Sequence, residues 1–524
     1  MQLELNRYNE LHGLTVPALL RLRARQHPAR LALSAHSARG YRDRLTYSQL
    51  VLRMEGVARG LAHRGVRQGD RVALFLSNYG VREGVLTALG CYRLGAIVSP
   101  LNVRASDDEL THALELVEPG HVVTTVEAAA RVRALYPKAR LLLVDDDSAD
   151  EACRWPEPTR EFHAAELPDV ARPEDPSVLL FTSGTTARSK AVAHCHRSQL
   201  YCGYAIGGAI GLQGGDIYQG AWPLYTSSVL NMACMAAWVS GAGVVLEEVP
   251  LDNAGRLRLI ESEATTVYHG VTSPLHFLID EYPNGRYDLS RVRRLCYGGA
   301  AMPVEVIEKF RQRLPWVDQV HIWGMTETGP AGTVLPPWYL PRKAGCIGTA
   351  HPGCAVRVVG DDGQPLPAGE VGEIVFSGPS AALGYWRNPE ATAQTFVDGW
   401  VHTGDLGRFD DEGHLHFVDR KKDIINRGGL KIASAAVEEA IYRFPGIAEA
   451  AVVAVPHAGL GEDVAACVVP APGVTLDLDA LRAHCARHLA DYAVPRHWHV
   501  MEALPKNPMG KILKRDLREQ LLNR

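Results

Sequence analysis

The sequence predicts an α/β protein with a large N-terminal domain of several subdomains, one of them β-rich, and a small C-terminal α+β domain. Three observations lead to this fold class. Short β-branched runs alternate with helical stretches from about residue 45 to 330, strands joined by turn residues follow position 345, and a tail of about a hundred residues begins after about 420. A chain of 524 residues is also too long for one hydrophobic core.

The alternating region supplies the strands of the large domain. They are predicted at RVALFLS (71–77), GAIVSP (95–100), HVVTT (121–125), RLLLVD (140–145), VVLEE (244–248) and TTVYHG (265–270). Strands that alternate with helices favour a largely parallel sheet. The stretch 217–246 carries no charge, but Pro223 and several glycines interrupt it, so we expect a buried helix followed by a strand and no membrane span.

Two further segments complete the fold prediction. Residues 356–378 contain two strands separated by turn signals, which is typical of a small β subdomain. The tail contains a helix at 434–444, a strand at 450–455 and a second helix at 478–490.

Composition narrows the class of protein. The net charge of -4 gives no reason to expect nucleic acid or an anionic membrane as a partner. Ten scattered cysteines without a CxxC pair indicate reduced thiols, and the first residues lack the apolar stretch of a signal peptide. We therefore expect a cytoplasmic protein.

The strongest local motif is LLFTSGTTARSKAV, residues 179–192. An apolar strand runs into a loop of small residues that Lys190 closes. Such a loop can offer backbone N–H groups, hydroxyls and an ammonium group to phosphate oxygens. The candidate phosphate ligands are Thr182, Ser183, Gly184, Thr185, Thr186 and Lys190.

This TSGTT…K motif resembles the phosphate-binding loop of the adenylate-forming superfamily, which includes acyl-CoA synthetases, firefly luciferase and the adenylation domains of peptide synthetases. The resemblance is closest to acyl-CoA synthetases. It implies an AMP-forming acid–thiol ligase that uses ATP, Mg²⁺ and coenzyme A. The chain departs from the usual loop at Ala187, Ser189 and Ala191.

Two glycine-containing motifs follow in the order of that family. CYGGAAMP (296–303) resembles its adenine-contacting turn, where small residues let the backbone approach a ligand. HIWGMTETGPAGT (321–333) resembles its YGxTE motif, in which Thr326 contacts a phosphate and Glu327 holds Mg²⁺. The resemblance implies nucleotide contacts from Gly298, Gly299, Ala300, Trp323, Gly324 and Met325.

The segments 399–409 and 418–432 resemble the family's ribose-binding motif and the entry to its mobile lid. Asp405 and Arg420 then contact the ribose, and a carboxylate can accept from two hydroxyls. Lys422 takes the hinge position, and Gly429 lies in the loop that lines the pantetheine tunnel.

The last match is ALPKNPMGKILKRDL (503–517), which places Lys511 as the catalytic lysine. Its charge would oppose the negative charge that develops in the transition state. The resemblance divides the chain into an adenylate-forming domain, 1–421, and a lid domain, 422–524. Ser434 and Ala436 replace the proline and glutamate that are frequent near the start of the lid helix.

The acyl pocket is predicted by the same resemblance. Its lining residues are Tyr225, Thr226, Thr328, Gly329 and Ala331. Members that activate amino acids carry aspartate at the position of Thr226, so an α-ammonium group would lack a partner here. An aryl, alicyclic or medium-length acyl group is expected instead.

Three functions remain open from the sequence. The first is an acyl-CoA synthetase, the second a ligase that loads an external carrier protein or an amine, and the third a catalytically weakened relative that only binds ligands. The altered loop favours the third function, whereas retention of Glu327, Asp405, Arg420 and Lys511 disfavours it.

Overall fold

The computed structural model describes residues 8–522 apart from 148–149, 157–166, 183–188, 249–250, 272–274, 276–277, 280–281, 283–285, 300–301, 303 and 507–511. The strands are β1 (Leu31–His36), β2 (Arg42–Thr46), β3 (Arg71–Phe75), β4 (Ile97–Pro100), β5 (His121–Thr124), β6 (Arg140–Leu143), β7 (Pro176–Thr182), β8 (Lys190–Cys195), β9 (Ile217–Gly220), β10 (Gly243–Leu246), β11 (Val267–Val271), β12 (Arg294–Gly298), β13 (Asp318–Gly324), β14 (Gly332–Leu335), β15 (Cys346–Ala350), β16 (Ala355–Val359), β17 (Gly372–Ser377), β18 (Gly384–Tyr385), β19 (Phe396–Val397), β20 (Trp400–Phe409), β21 (Leu415–Arg420), β22 (Ile425–Arg427), β23 (Leu430–Ile432), β24 (Ile447–His457), β25 (Gly461–Pro470) and β26 (His497–Val500). The helices are α1 (Val16–Gln26), α2 (Tyr47–His63), α3 (Val81–Leu94), α4 (Asp107–Val117), α5 (Val126–Leu135), α6 (His196–Ala209), α7 (Met235–Ser240), α8 (Asn253–Ser262), α9 (Val304–Arg313), α10 (Pro389–Thr395), α11 (Ser434–Tyr442), α12 (Leu478–His488) and α13 (Lys514–Leu522).

The chain forms two compact units. The first contains Met1–Val356 and Phe376–His402, and the second contains Arg357–Val375 and Thr403–Arg524. The predicted domain boundary at 421/422 marks a hinge, which is a point of rotation, whereas the compact units reflect the density of contacts. The boundary therefore stays a prediction.

One sheet of the first unit has seven strands in the order β18-β8-β7-β4-β3-β5-β6. Strands β3 to β7 are parallel where they pair, whereas β8 returns antiparallel to β7 and β18 pairs antiparallel with β8. The connecting helices begin at sequence signals. Ser106 and Glu109, for example, form reciprocal hydrogen bonds at the start of α4. The predicted α/β alternation is confirmed.

A second sheet of the first unit has the order β15-β14-β13-β12-β11-β9-β10-β1-β2. Its central strands β13, β12, β11, β9, β10 and β1 are parallel, and both ends are antiparallel. The prediction for 217–246 was incomplete, because this stretch opens with the strand β9 before the helical residues 228–240 and β10. A strand of four residues inside an uncharged run is too short to show the alternation of apolar and polar residues that identifies a strand.

Every residue of α3 is buried, including three charged ones, Arg82, Glu83 and Arg93. Arg82 donates from Nη1 to Glu83 at 2.9 Å and from Nε to Asp43 at 2.7 Å, and Glu83 accepts from the Ser37 hydroxyl at 2.7 Å. Buried charges are tolerated when they are paired and hydrogen-bonded. The ion pair of Arg82 and Glu83 therefore allows a helix with charged residues to lie inside the core.

The second unit contains most of β16, β17, β20 and β21, which are neighbours in that order, and a five-stranded sheet. Alternate residues of β24 face opposite sides of this sheet. Val452 packs in a cluster with Val437 of α11 and Leu481 of α12, whereas Val453 packs with Leu517 of α13. Helices on both faces bury the apolar residues of β24, as expected for a small α+β domain.

In the described part of the chain, no helix is long and apolar enough to cross a bilayer.

Candidate functional site

The two glycine-containing motifs lie side by side in the first unit. Strands β12 and β13 are parallel, and Gly298 pairs with Ile322 at their carboxyl ends. Gly299 follows β12 directly, and Trp323 and Gly324 end β13. Ligands of open α/β sheets bind at the carboxyl ends of the strands. The structure thus brings these predicted residues to the expected edge. Ala300, from the same prediction, lies outside the described residues.

The phosphate-loop motif forms a hairpin between β7 and β8. Thr182 and Lys190 form the last pair of the two strands before the residues that connect them. The predicted ligands Ser183, Gly184, Thr185 and Thr186 lie outside the described residues.

Two of the three departures from the family's loop are described. Ala191 is buried inside β8 opposite Phe181, where extended backbone accommodates a side chain. The carbonyl oxygen of Ser189 lies 3.0 Å from Nε2 of His112. Ala187 lies outside the described residues.

Glu327 is buried in the turn Thr326–Thr328, directly after β13. Its Oε1 accepts a hydrogen bond of 2.8 Å from the hydroxyl of Tyr385. The ammonium group of Lys190 lies over the ring of the same tyrosine, 4.6 Å from its centroid. Burial and the Glu327 carboxylate raise the pKa of Tyr385, so its phenol is a neutral donor.

His194 ties the hairpin to the same turn. Its Nε2 lies 2.8 Å from the carbonyl oxygen of Thr326, and its Nδ1 lies 3.2 Å from the hydroxyl of Ser198. Burial lowers the pKa of His194 to about 4, against the opposing effect of the Thr326 carbonyl. The imidazole is neutral, and Nε2 carries the hydrogen because a carbonyl only accepts.

The predicted acyl-pocket residues form two groups. Thr226 donates to the carbonyl oxygen of Pro223 at 2.8 Å and accepts from the Ser228 N–H at 3.3 Å, so its hydroxyl is used within its own turn. Tyr225 is half-buried, and burial raises its pKa, with Arg104 opposing. The neighbouring Ser227 hydroxyl lies 3.3 Å from that of Thr326.

The second group is Thr328, Gly329 and Ala331, which are all buried. The Thr328 hydroxyl lies 2.5 Å from the carbonyl oxygen of Ala331 and accepts from the Met325 N–H at 3.2 Å. Because these residues are buried, they can support the residues that line a pocket but do not form its surface. Their role in the acyl pocket stays a prediction.

Replacing Gly329 with alanine is expected to lower the free energy of unfolding by about 2–4 kcal/mol. Gly329 has φ +72°, and an added Cβ would lie 2.3 Å from the backbone carbonyl oxygen of Ser380. The matched control is Gly299→Ala, because Gly299 has φ +83° but nothing within 4 Å of the added Cβ. Urea unfolding followed by tryptophan fluorescence measures both variants, and equal losses would contradict the steric argument.

The predicted ribose ligands lie together in the second unit. Asp405 of β20 and Arg420 of β21 are directly opposite each other, and Arg420 Nε is 3.7 Å from Asp405 Oδ1. The main-chain N–H of Asp405 donates to the Thr403 hydroxyl at 3.1 Å. Cross-strand pairing thus fixes the spacing of the two side chains.

The remaining lid residues follow in order. Lys422 is exposed two residues after β21 ends, and Gly429 lies in the turn between β22 and β23. Lys511 lies outside the described residues, three positions before α13 begins.

A partly buried network that the sequence did not predict anchors α11 in the second unit. The Ser434 hydroxyl donates to Asp419 Oδ2 at 2.7 Å and accepts from Lys514 Nζ at 2.6 Å. Lys514 also pairs with Glu438 at 2.7 Å. Burial raises the pKa of Glu438, with Lys514 opposing. Serine thus replaces the family's frequent proline with a side chain that joins β21, α11 and α13.

Within the part of the chain that is described, no group of three or more His, Cys, Asp and Glu side chains could hold a metal ion. Mg²⁺ commonly takes one or two carboxylates and completes its shell with water and substrate phosphates. The buried carboxylate of Glu327, which Tyr385 links to Lys190, fits that kind of site.

Comparisons with known proteins cover nearly the whole chain. Residues 20–386 match the family model described as AMP-binding enzyme, and residues 436–511 match the AMP-binding enzyme C-terminal domain. Feruloyl-CoA synthase from Amycolatopsis sp. is 36% identical over 496 residues, which cover 94% of this chain and 97% of that protein. A methyl-dioxo-octahydroindenyl-propanoyl:CoA ligase from Rhodococcus jostii (strain RHA1) is 32% identical over 527 residues, covering 97% and 98%. The structure of o-succinylbenzoate coenzyme A synthetase from Bacillus subtilis, in complex with ATP and magnesium ion, aligns with a TM-score of 0.84 at 27% identity and covers 95% of this chain and 98% of that one.

Proposed function

Because this chain belongs to the AMP-binding enzyme family and is an ATP-dependent ligase that joins a carboxylic acid to coenzyme A, we propose that its acid is bulky and largely apolar. The proposed class is an aryl, alicyclic or medium-length acid. The observation that carries it is the wall of the predicted pocket. The uncharged stretch 217–246 supplies Tyr225 and Thr226, and the Thr226 hydroxyl is bonded within its own turn.

Charge is the main argument against amino acids. An α-ammonium group in a dry pocket needs a carboxylate partner, and a buried charge without one is strongly disfavoured. Thr226 supplies no charge at the predicted position. The names of the two relatives above, feruloyl and octahydroindenyl-propanoyl, each describe an acid with a ring, which supports the proposal for this chain.

Two displacements make up the reaction. The acid's carboxylate oxygen attacks the α-phosphorus of ATP, a P–O bond forms, and the bond to the departing pyrophosphate breaks. The sulfur of coenzyme A then attacks the acyl carbon, a C–S bond forms, and the C–O bond to AMP breaks. The enzyme mainly positions the reactants and opposes negative charge in both steps.

We assign the roles as follows. Thr182 and Lys190 bind the phosphates together with the loop between them, and Asp405 and Arg420 bind the ribose. Glu327 would hold Mg²⁺, which supplies positive charge to the triphosphate when bound. The lid 422–524 would turn about Lys422 and present Lys511 for adenylation.

Location in the cytoplasm is also part of the proposal. None of the ten cysteines forms a disulfide bond. Ten cysteines without a disulfide bond are typical of a reducing compartment. Fractionation of cells that express the tagged chain tests this point, and recovery outside the cytoplasm would contradict it.

The test of substrate class is a hydroxylamine-trapping screen with acids of different size and charge. Its sharpest comparison is 3-phenylpropanoate with phenylalanine, because the two differ only in the α-amino group. We expect kcat/KM to be at least about 10²-fold higher for 3-phenylpropanoate, because the ammonium group would be buried without a partner. Equal rates would show that the pocket supplies a partner for the charge.

The acceptor is measured in parallel reactions without hydroxylamine. Coenzyme A should convert each acid that gave a hydroxamate in the screen into free acyl-CoA, detected by mass spectrometry. Transfer to an added carrier protein but not to coenzyme A would show that coenzyme A is not the acceptor. A chain that binds ATP without acid-dependent pyrophosphate exchange would be a weakened relative.

A further inference from the structure

Residues 380–386, here called the clasp, connect the Thr326–Thr328 turn with strand β8. At its first end the clasp binds the backbone of the turn. The Ser380 hydroxyl donates to the carbonyl oxygen of Thr328 at 2.8 Å, and the Ala382 N–H donates to that of Glu327 at 2.9 Å.

At its other end the clasp binds the strand that begins with Lys190. The N–H groups of Leu383 and Trp386 donate to the carbonyl oxygens of Ala193 and Ala191, each at 2.8 Å. Tyr385 lies between them and pairs with Val192. The clasp therefore fixes the turn and the hairpin to one short segment.

Tyr385 adds a side-chain link along the same route. Its hydroxyl donates to Glu327 Oε1, and its ring lies under the Lys190 ammonium at a distance typical of a cation–π contact. The negatively charged Glu327 therefore contacts the hydroxyl of Tyr385, and the positively charged Lys190 contacts the ring face of the same side chain. A ring face attracts a cation more weakly than a triphosphate does, so the contact with Tyr385 would not prevent Lys190 from binding the phosphates.

We propose that Tyr385 is a positioning residue for ATP and Mg²⁺, which rests on the roles proposed above for Glu327 and Lys190. The hydroxyl fixes the direction of the Glu327 carboxylate. The ring holds the Lys190 ammonium at the start of β8, beside Thr182, before ATP arrives. Preorganised groups lose less freedom when the ligand binds.

Two variants separate these contacts. Tyr385→Phe keeps the ring and removes only the hydroxyl, whereas Tyr385→Leu removes both. The control is Thr392→Val, because the Thr392 hydroxyl accepts the Tyr385 N–H at 2.9 Å but touches neither charged group. That variant perturbs the clasp without changing the phenol.

Calorimetry with ATP, at increasing MgCl₂ and in EDTA, measures binding independently of turnover. We expect Tyr385→Phe to raise the Mg²⁺ concentration for half-maximal ATP binding by about fivefold to tenfold, since a hydrogen bond to a charged group is lost. ATP affinity in EDTA should stay within about twofold. Tyr385→Leu should weaken ATP binding in EDTA by about threefold, because the ammonium group is no longer held.

The outcomes are distinguishable. If Tyr385→Phe shifts the Mg²⁺ midpoint by less than about twofold, or no more than Thr392→Val, the proposal is wrong. Equal ATP affinities for the phenylalanine and leucine variants in EDTA would contradict the lysine contact. Failure of the underlying roles would appear in the wild-type chain itself, as ATP binding that does not respond to Mg²⁺.

Discussion

Replacing Glu327 with glutamine is expected to slow acid-dependent ATP–pyrophosphate exchange by about 10²- to 10³-fold at a Mg²⁺ concentration that saturates the wild-type enzyme. The substitution removes the negative charge that would hold Mg²⁺ and leaves the size of the side chain unchanged. The amide oxygen of glutamine can still accept the Tyr385 hydroxyl, so the buried turn should keep its partner. Exchange of labelled pyrophosphate into ATP over a range of MgCl₂ concentrations measures the effect.

The control is Glu263→Gln, which removes another buried carboxylate of the first unit. Glu263 accepts from the Ser34 hydroxyl at 2.8 Å and pairs with Arg44, away from the proposed site. We expect this variant to lose stability but to keep its exchange rate within about threefold while it is folded. A Glu327→Gln enzyme that exchanges within about fivefold of the wild type would refute the role of Glu327.

The sequence predicted the elements whose pattern is local. Strands β3, β5 and β6 are short runs rich in valine or leucine that each follow a helix, and each is confirmed at nearly the predicted position. The hairpin of β1 and β2 was not predicted, because Arg42–Thr46 is mostly polar and reads as a loop. Strand β9 was missed because the uncharged run around it hides its period.

The sequence predicted the site residues that belong to a local motif. It did not predict those whose role depends on contacts between residues far apart in the chain. Thr182, Lys190 and Glu327 belong to recognisable motifs. Tyr385 belongs to none, although its hydroxyl binds a carboxylate 58 positions earlier in the chain. His194 likewise belongs to no predicted site. It lies in β8, and its ring contacts the backbone of the turn after β13.

The lid shows a related limit of the sequence. The helix predicted from position 434 lacks the frequent proline there, and the residue before it provides no side-chain cap. The structure begins α11 at Ser434 and satisfies its hydroxyl with Asp419 and Lys514, which lie on two other elements. Contacts of this kind depend on tertiary packing, which no local pattern records.

Replacing Lys511 with alanine is expected to separate the two half-reactions. Acyl-adenylate formation should fall by about 10²- to 10³-fold, because a cation that opposes developing charge at the carboxylate and α-phosphate is lost. Thiol transfer from supplied acyl-adenylate should stay within about threefold, since the lid would turn Lys511 away from the site in that step. Quenched-flow formation of acyl-adenylate and coenzyme A consumption from synthetic acyl-adenylate measure the two steps.

The matched control is Lys506→Ala, which removes a lysine from the same segment. The Lys506 ammonium pairs with Glu449 at 2.5 Å on a partly exposed surface, where an ion pair contributes little. Both half-reactions should therefore stay near wild-type rates in this control. If Lys511→Ala slows both half-reactions equally, the lysine acts through the fold of the lid. If it adenylates at the wild-type rate, another cation must oppose the charge at the α-phosphate.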